Sequence, residues 1–286
     1  MRTTLALAGI HAAERLSPRL AARLASPLFY RVGRPLAVRP SEQALHTQAE
    51  TFPLMVRGHT IVGYSWGSGP RTVLLVHGWH ARAAQFAPIV RGLRTAGLRA
   101  VSFDAPANGA SKGRRTDIRD YLAAIDALHT RFGRFDVAIG HSFGALAVLT
   151  AVREGLPADG VVAIAGMADA RYLVDSFADR LRLSPATAEA LAARFAHRVF
   201  APDTNPWPRF DAVAAPLPAG IPLLLVHDRG DREVSIRESE RLHEAHGERS
   251  RLVTREGTGH SRILADDDTL EAVVGFVTSI SAGSVS

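Results

Sequence analysis

The chain has 286 residues, 47% hydrophobic and 22% charged, the balance of an ordinary soluble globular protein with room for one large domain or two small ones. It contains no cysteine, which excludes thiol catalysis, cysteine zinc sites and iron–sulfur ligation, and a chain of this length buries enough apolar surface to need no disulfide. The formal charge of +6 raises nucleic acid or a membrane surface as a partner, but Lys112 is the only lysine and the arginines are spread along the chain without a dense block, so neither is expected.

Residues 1–50 are rich in Ala, Leu and Arg, with Leu16, Leu20, Leu24 and Leu28 at helical spacing and prolines at 18, 27, 35 and 40. The pattern predicts one or two amphipathic helices laid on a core, forming an N-terminal helical extension. Leu5–Ile10 faintly resembles the apolar stretch of a signal peptide, but it is short and is followed by Glu14 and Arg15. No apolar run reaches the ~18–20 residues of a membrane span. A soluble, cytoplasmic protein is therefore expected.

From Thr51 the texture is strand-like. Phe52–Arg57, a Gly58-His59 turn and Thr60–Trp66 read as an antiparallel hairpin. Short apolar strands then recur at Thr72–Val76, Arg99–Phe103, Asp136–Ile139, Gly160–Ala165, Pro222–Val226 and Arg251–Thr254, separated by helical stripes such as Ile118, Tyr121, Leu122, Ile125, Leu128 and Phe132. Strands so continuously apolar are buried on both faces, which predicts an α/β fold with a mostly parallel eight-stranded sheet between layers of helices. The rhythm breaks after Ala165, where two helices, about Ala168–Arg182 and Ala186–Phe200 with Ser184-Pro185 at its start, precede a proline-rich return. The expected organisation is an extension over 1–50 and a main domain over 51–286, carrying a small helical cap at about 167–220.

Gly140-His141-Ser142-Phe143-Gly144 lies where a strand meets a helix, the context that G-x-S-x-G requires to present a serine on a sharp turn. A serine needs a base oriented by a third group. Downstream strands end in His227-Asp228-Arg229-Gly230-Asp231 and, a few residues past Thr254, in Gly257-Thr258-Gly259-His260, so the chain order is Ser, Asp, His. Upstream, Thr72–Val76 runs into His77-Gly78-Trp79-His80. With these four motifs in this order, residues from about Phe52 to Ile280 resemble the α/β-hydrolase family, in particular bacterial serine hydrolases with a small helical cap.

The resemblance implies Ser142 as nucleophile, His260 as general base and acid, Asp231 as its orienting acid, and the backbone N–H groups of Trp79 and Phe143 as oxyanion donors. Asp228 and Asp169 are the competing acids, and Asp169 also reads as a helix cap. The implied activity is hydrolysis of a small or medium carboxylic ester, with no cofactor and no metal. An aminopeptidase, a lactonase, a carbon–carbon bond hydrolase, an acyltransferase and a non-catalytic small-molecule receptor remain open, since all share these motifs. The segment Asp104–Ser111 departs from the family pattern D-x-P-G-H-G-x-S, with Ala107 for the glycine and Asn108 for the histidine. His77-x-x-His80 and His243-x-x-His246 have the spacing of ligand pairs but lack a third ligand nearby.

Overall fold

The computed structural model describes residues 2–200 and 205–282. By the density of internal packing the chain divides into two compact units, residues 1–31 with 169–211, and residues 32–168 with 212–286.

The larger unit is built on one eight-stranded sheet of order β1-β2-β4-β3-β5-β6-β7-β8. Its strands are β1 Glu50–Val56, β2 His59–Trp66, β3 Thr72–Val76, β4 Arg99–Asp104, β5 Phe135–His141, β6 Ala158–Ile164, β7 Leu223–Asp228 and β8 Ser250–Arg255. β1 and β2 form the expected hairpin and β2 runs antiparallel to β4; all other pairs are parallel. The hairpin turn falls one residue earlier than its glycine suggests, at Arg57-Gly58. Both residues have positive φ, 47° and 81°, as a two-residue turn matching the strand twist requires.

β5 and β7 run two residues further than their apolar cores, because they end in the polar His141 and Asp228, which still pair with Ile164 and Arg255. One face of the sheet is covered by α4 Ala87–Thr95 and α11 Asp267–Ala282, whose Ile89, Val90, Leu93, Val273 and Val277 pack with Leu75, Val137 and Ile139. α5 Ile118–Phe132 and α6 Phe143–Arg153 follow β4 and β5, and the short α3 Pro40–His46 gives its Leu45 carbonyl to Trp66 Nε1–H at 3.0 Å. α9 Ile236–His246 and the single turn α10 Gly259–Arg262 complete this unit. Val76 pairs with Gly140, so the turns leaving β3 and β5 are neighbours at one edge of the sheet.

The smaller unit joins two stretches of chain distant in sequence: α1 Arg2–Leu16 and α2 Pro18–Phe29 with α7 Arg171–Arg180 and α8 Pro185–Val199. Ser184 caps α8 through a hydrogen bond from the Thr187 amide, with Pro185 in the first turn as its pattern predicts. Asp169 likewise accepts from the Tyr172 amide at 2.9 Å at the start of α7. The interior is aromatic: Phe29 meets Tyr30, Phe177 and Phe195 edge-on, while Trp207 stacks on Phe195. The leucine stripe of the first helices does not supply this interior. α2 buries Ala21, Ala22, Ala25 and Ser26 and leaves Leu20 and Leu24 outside, along with Leu16. Among the described residues no helix is long and apolar enough to cross a membrane.

Candidate active site

β5 delivers Ser142 as the residue immediately before α6, with φ 55° and ψ −122°. A non-glycine residue in this region is strained by about 1–3 kcal/mol and persists only where its surroundings enforce it. Here the Ser142 amide donates to Ile164 O at 2.9 Å, the Ser142 carbonyl accepts from the Ala145 amide at 2.9 Å, and both flanking glycines are compressed. A Cβ on Gly140 would lie 2.4 Å from Ala145 Cα, and one on Gly144 would lie 2.1 Å from Val76 O. The turn after β3 approaches as closely, since a Cβ on Gly78 would lie 2.9 Å from Ser142 Cβ. Two glycines of one motif and one of another are thus needed to bring three backbones around a single serine.

That second turn is fixed by His77. Its Nε2 accepts from the Ala105 amide at 3.0 Å, so its Nδ1 carries the proton and donates to Gly78 O at 2.7 Å, where the Tyr121 hydroxyl also donates at 3.0 Å. Burial pushes the His77 pKa down, consistent with a neutral ring used as a brace. Trp79 follows, its ring edge-on to Phe143 at 5.5 Å. Phe143 is the first residue of α6, where backbone N–H groups have no acceptor within the helix.

The segment that departs from the family pattern braces the same turn. Asp104 accepts from the Ala83 amide, the Ala110 amide and the Tyr64 hydroxyl, and Asn108 Oδ1 accepts from the Ala81 amide at 3.2 Å. Ala107 adopts φ 65°, a left-handed conformation for which the family's glycine is suited. Ala107→Gly is therefore expected to stabilise the protein by about 0.5–1 kcal/mol, the relief of left-handed strain less the extra entropy of glycine in the unfolded chain. Thermal unfolding of the variant checks this, with a higher Tm as the expected result.

The structure brings Asp231 and His260 together. His260 Nδ1 lies 2.7 Å from Asp231 Oδ2, while Asp231 Oδ1 accepts from the amides of Glu233 at 2.8 Å and Val234 at 3.1 Å. Asp228 serves elsewhere. Its Oδ1 accepts from the Gly230 amide, and its Oδ2 accepts from both the amide and the hydroxyl of Thr258, so it fastens the loop after β7 to the loop that carries His260. Asp169 belongs to the smaller unit, as a cap of α7.

Two histidines without a role in the sequence reading complete the surroundings. His227 follows the apolar run of β7, and its Nε2 lies 3.0 Å from Val234 O and 3.4 Å from Asp231 Oδ2. A carbonyl only accepts, so Nε2 carries the proton and faces the carboxylate, leaving Nδ1 to accept from the Ser239 hydroxyl at 2.7 Å. Burial alone would push the Asp231 pKa up, but hydrogen bonds from His227 and His260 and the amide of Glu233 hold it well below the usual carboxylate range. His141, inside the serine motif, donates from Nε2 to the His260 carbonyl at 2.8 Å, and its ring lies 4.8 Å from that of His260. The signal for both was available: a histidine that closes a buried apolar strand must find partners.

Burial, with a smaller contribution from His260, pushes the His141 pKa down to about 3. Between an unfolded value near 6.5 and about 3 the unfolded chain binds a proton that the folded chain refuses, so stability falls as the pH drops through that window. The slope from one such proton is about 1.4 kcal/mol per pH unit. His46, His77 and His246 are shifted in the same direction, chiefly by burial, and add to it. His141→Gln is expected to make the loss shallower by about one proton, measured as urea-unfolding free energy between pH 7 and pH 4 (about the range that separates histidine from carboxylate titration).

The paired histidines of the sequence are each engaged separately. His80 Nε2 contacts Arg34 O, His243 Nδ1 contacts Ser250 Oγ, and His246 Nε2 accepts from the Leu217 amide. Among the described residues no group of three or more His, Asp or Glu side chains is arranged to hold a metal ion.

Residues 73–274 match the profile of the Alpha/beta hydrolase family, well over half of the chain. The chain belongs to the alpha/beta hydrolase family. Its sheet order, helical layers and elbow are that fold. Similar solved structures include an esterase from Pyrococcus furiosus (TM-score 0.62, 17% identity, 86% of this chain and 96% of that one). A monoacylglycerol lipase from Paleococcus ferrophilus (TM-score 0.57, 19% identity, 77% and 99%) and an esterase from Exiguobacterium antarcticum (TM-score 0.59, 16% identity, 80% and 100%) are also similar. No match was found among curated proteins.

Proposed function

We propose that this alpha/beta hydrolase is a serine hydrolase that cleaves small or medium carboxylic esters through an acyl-enzyme on Ser142. The observation that carries the reading is the 2.7 Å contact of His260 Nδ1 with a carboxylate whose other oxygen is fully committed to two backbone amides. It orients the imidazole so that Nε2 is the atom that acts as base. In this reading Ser142 Oγ attacks the ester carbonyl and its proton passes to His260 Nε2. The oxyanion is held by the N–H groups of Trp79 and Phe143. His260 then returns the proton to the departing alcohol, deprotonates a water molecule that attacks the acyl-enzyme, and gives that proton back to Ser142 as the acid leaves.

The preference for short acyl chains rests on the cap segment at about 167–220, which has only the length for two helices and a proline-rich return and uses its apolar residues within its own unit. Val174, Leu191, Phe195 and Val199 of α7 and α8 are buried inside that unit, against one another, α2 and the aromatic cluster. Few apolar side chains of α7 and α8 are left outside this interior. Each added methylene gains about 0.8 kcal/mol only while it meets apolar wall, so kcat/KM over a series of p-nitrophenyl esters is expected to rise over the first few carbons and then flatten or fall. The function itself is tested by labelling with a fluorophosphonate probe followed by peptide mapping. Modification of Ser142 with loss of esterase activity is expected; activity surviving complete labelling, or a label elsewhere, would overturn the reading.

A further inference from the structure

The arrangement of α1 and α2 runs against what an ordinary surface helix pair shows. Among the described residues four large apolar side chains stand exposed, and three of them fall within nine positions here: Leu16 at 81%, Leu20 at 40% and Leu24 at 47%. The buried side of α2 is made instead of small residues, Ala21, Ala22, Ala25 and Ser26, which allow close backbone approach within the unit. The leucines are therefore not displaced core residues; that side of the helix is already filled.

The charge on the outward side has one sign. Arg15, Arg19 and Arg23 repeat every four residues beside the leucines and are all exposed, and α2 contains no acidic residue. The nearest carboxylate, Glu14, is turned inward, where it accepts from the Ser184 amide at 2.8 Å. Ser184, Thr187 and His11 hold its pKa down to about 2 despite burial, so it stays ionised within the unit and does not join the outward row. On α2 the exposed Arg19 and Arg23 each stand one residue before the exposed Leu20 and Leu24, and the exposed Arg15 and Leu16 end α1 just before the turn at Ser17.

We propose that this face docks on an anionic lipid surface, with Leu16, Leu20 and Leu24 entering the headgroup boundary and Arg15, Arg19 and Arg23 pairing with lipid phosphates. A leucine row flanked by arginines is the composition of a helix that lies in a membrane interface. Anionic headgroups attract each basic residue held at the surface. A second copy of the chain would bring the same row of arginines against itself, which disfavours self-association through this face. The proposal concerns where the protein resides and is independent of the ester reading, since a surface-docked enzyme can act on short esters.

The test is flotation of the full-length protein with vesicles of phosphatidylcholine alone and of phosphatidylcholine with about a third phosphatidylglycerol, at low and at physiological salt. Binding to the phosphatidylglycerol vesicles that weakens with salt is expected, with little binding to phosphatidylcholine. Leu20→Gln with Leu24→Gln, and separately Arg19→Glu with Arg23→Glu, are each expected to weaken it about tenfold or more. All four positions are exposed, so both variants should keep the wild-type Tm; the second pair keeps the test decisive if the first misfolds. Equal or absent binding to the two vesicle types, or variants that bind as wild type, would overturn the proposal. So would a concentration-dependent dimer, seen by light scattering and abolished by the leucine pair in a protein that ignores vesicles.

Discussion

Ser142→Ala is expected to lower kcat/KM for a p-nitrophenyl ester by about 10⁴-fold or more while leaving the fold and its Tm close to wild type. The size follows from the role proposed for the side chain: without Oγ no acyl-enzyme forms, and what remains is the contribution of oriented N–H donors to direct attack by water. That the fold should survive follows from three local facts. The strained φ of 55° is imposed by the hydrogen bonds of the Ser142 amide and carbonyl and by compression around Gly140 and Gly144, none of which involves Oγ. Alanine has the same Cβ, so the close approach of Gly78 to that atom is unchanged. The Ser142 hydroxyl makes no capping hydrogen bond to α6, so no helix cap is lost. A variant that unfolds would show that the hydroxyl holds the elbow together. One retaining activity within about tenfold of wild type would remove Ser142 as nucleophile.

Most of the frame on which this expectation rests is legible in the sequence, for physical reasons that also mark where legibility ends. β3 and α5 coincide with their readings because each is a continuous signal, an apolar run in the first and a helical stripe from Ile118 to Phe132 in the second, which the structure further fixes with an Asp117 cap and its reciprocal Asp120. β5 and β7 run past their readings because hydrogen-bonded pairing continues through His141 and Asp228, residues whose polarity argues against a buried strand until their partners are known. The serine elbow is a local event and its motif is therefore local. The roles of His141, His227 and Asp228 are not, since each depends on a loop that arrives from a distant part of the chain: His260 for the first, Val234 and Asp231 for the second, Thr258 for the third. The leucine spacing of residues 16–28 announces a helical stripe but not which side is buried. Alanine carries little hydropathic signal even where, as at Ala21, Ala22 and Ala25, it forms the packed side.

Asp231→Asn is expected to reduce kcat by about 10²–10⁴ and to do so without displacing His260. The orientation of the new amide is dictated by the groups around it. The amides of Glu233 and Val234 both donate to the position of Oδ1, so the asparagine carbonyl must stay there and its NH₂ must take the position of Oδ2, 2.7 Å from His260 Nδ1. A donor at that place forces Nδ1 to act as acceptor, which puts the ring proton on Nε2, and a protonated Nε2 cannot take the proton of Ser142. The same NH₂ faces the Nε2–H of His227, held there by Val234 O and 3.4 Å from the original oxygen, so a donor meets a donor and some stability is lost as well. Asp228→Asn gives a different signature. Its Oδ2 serves two donors of Thr258, and loosening that fastening is expected to cost stability first and rate only through the mobility of the His260 loop. Steady-state kinetics and thermal unfolding of the two variants together separate the carboxylate that orients the base from the one that ties its loop. A kcat loss larger in Asp228→Asn than in Asp231→Asn would transfer the orienting role to Asp228.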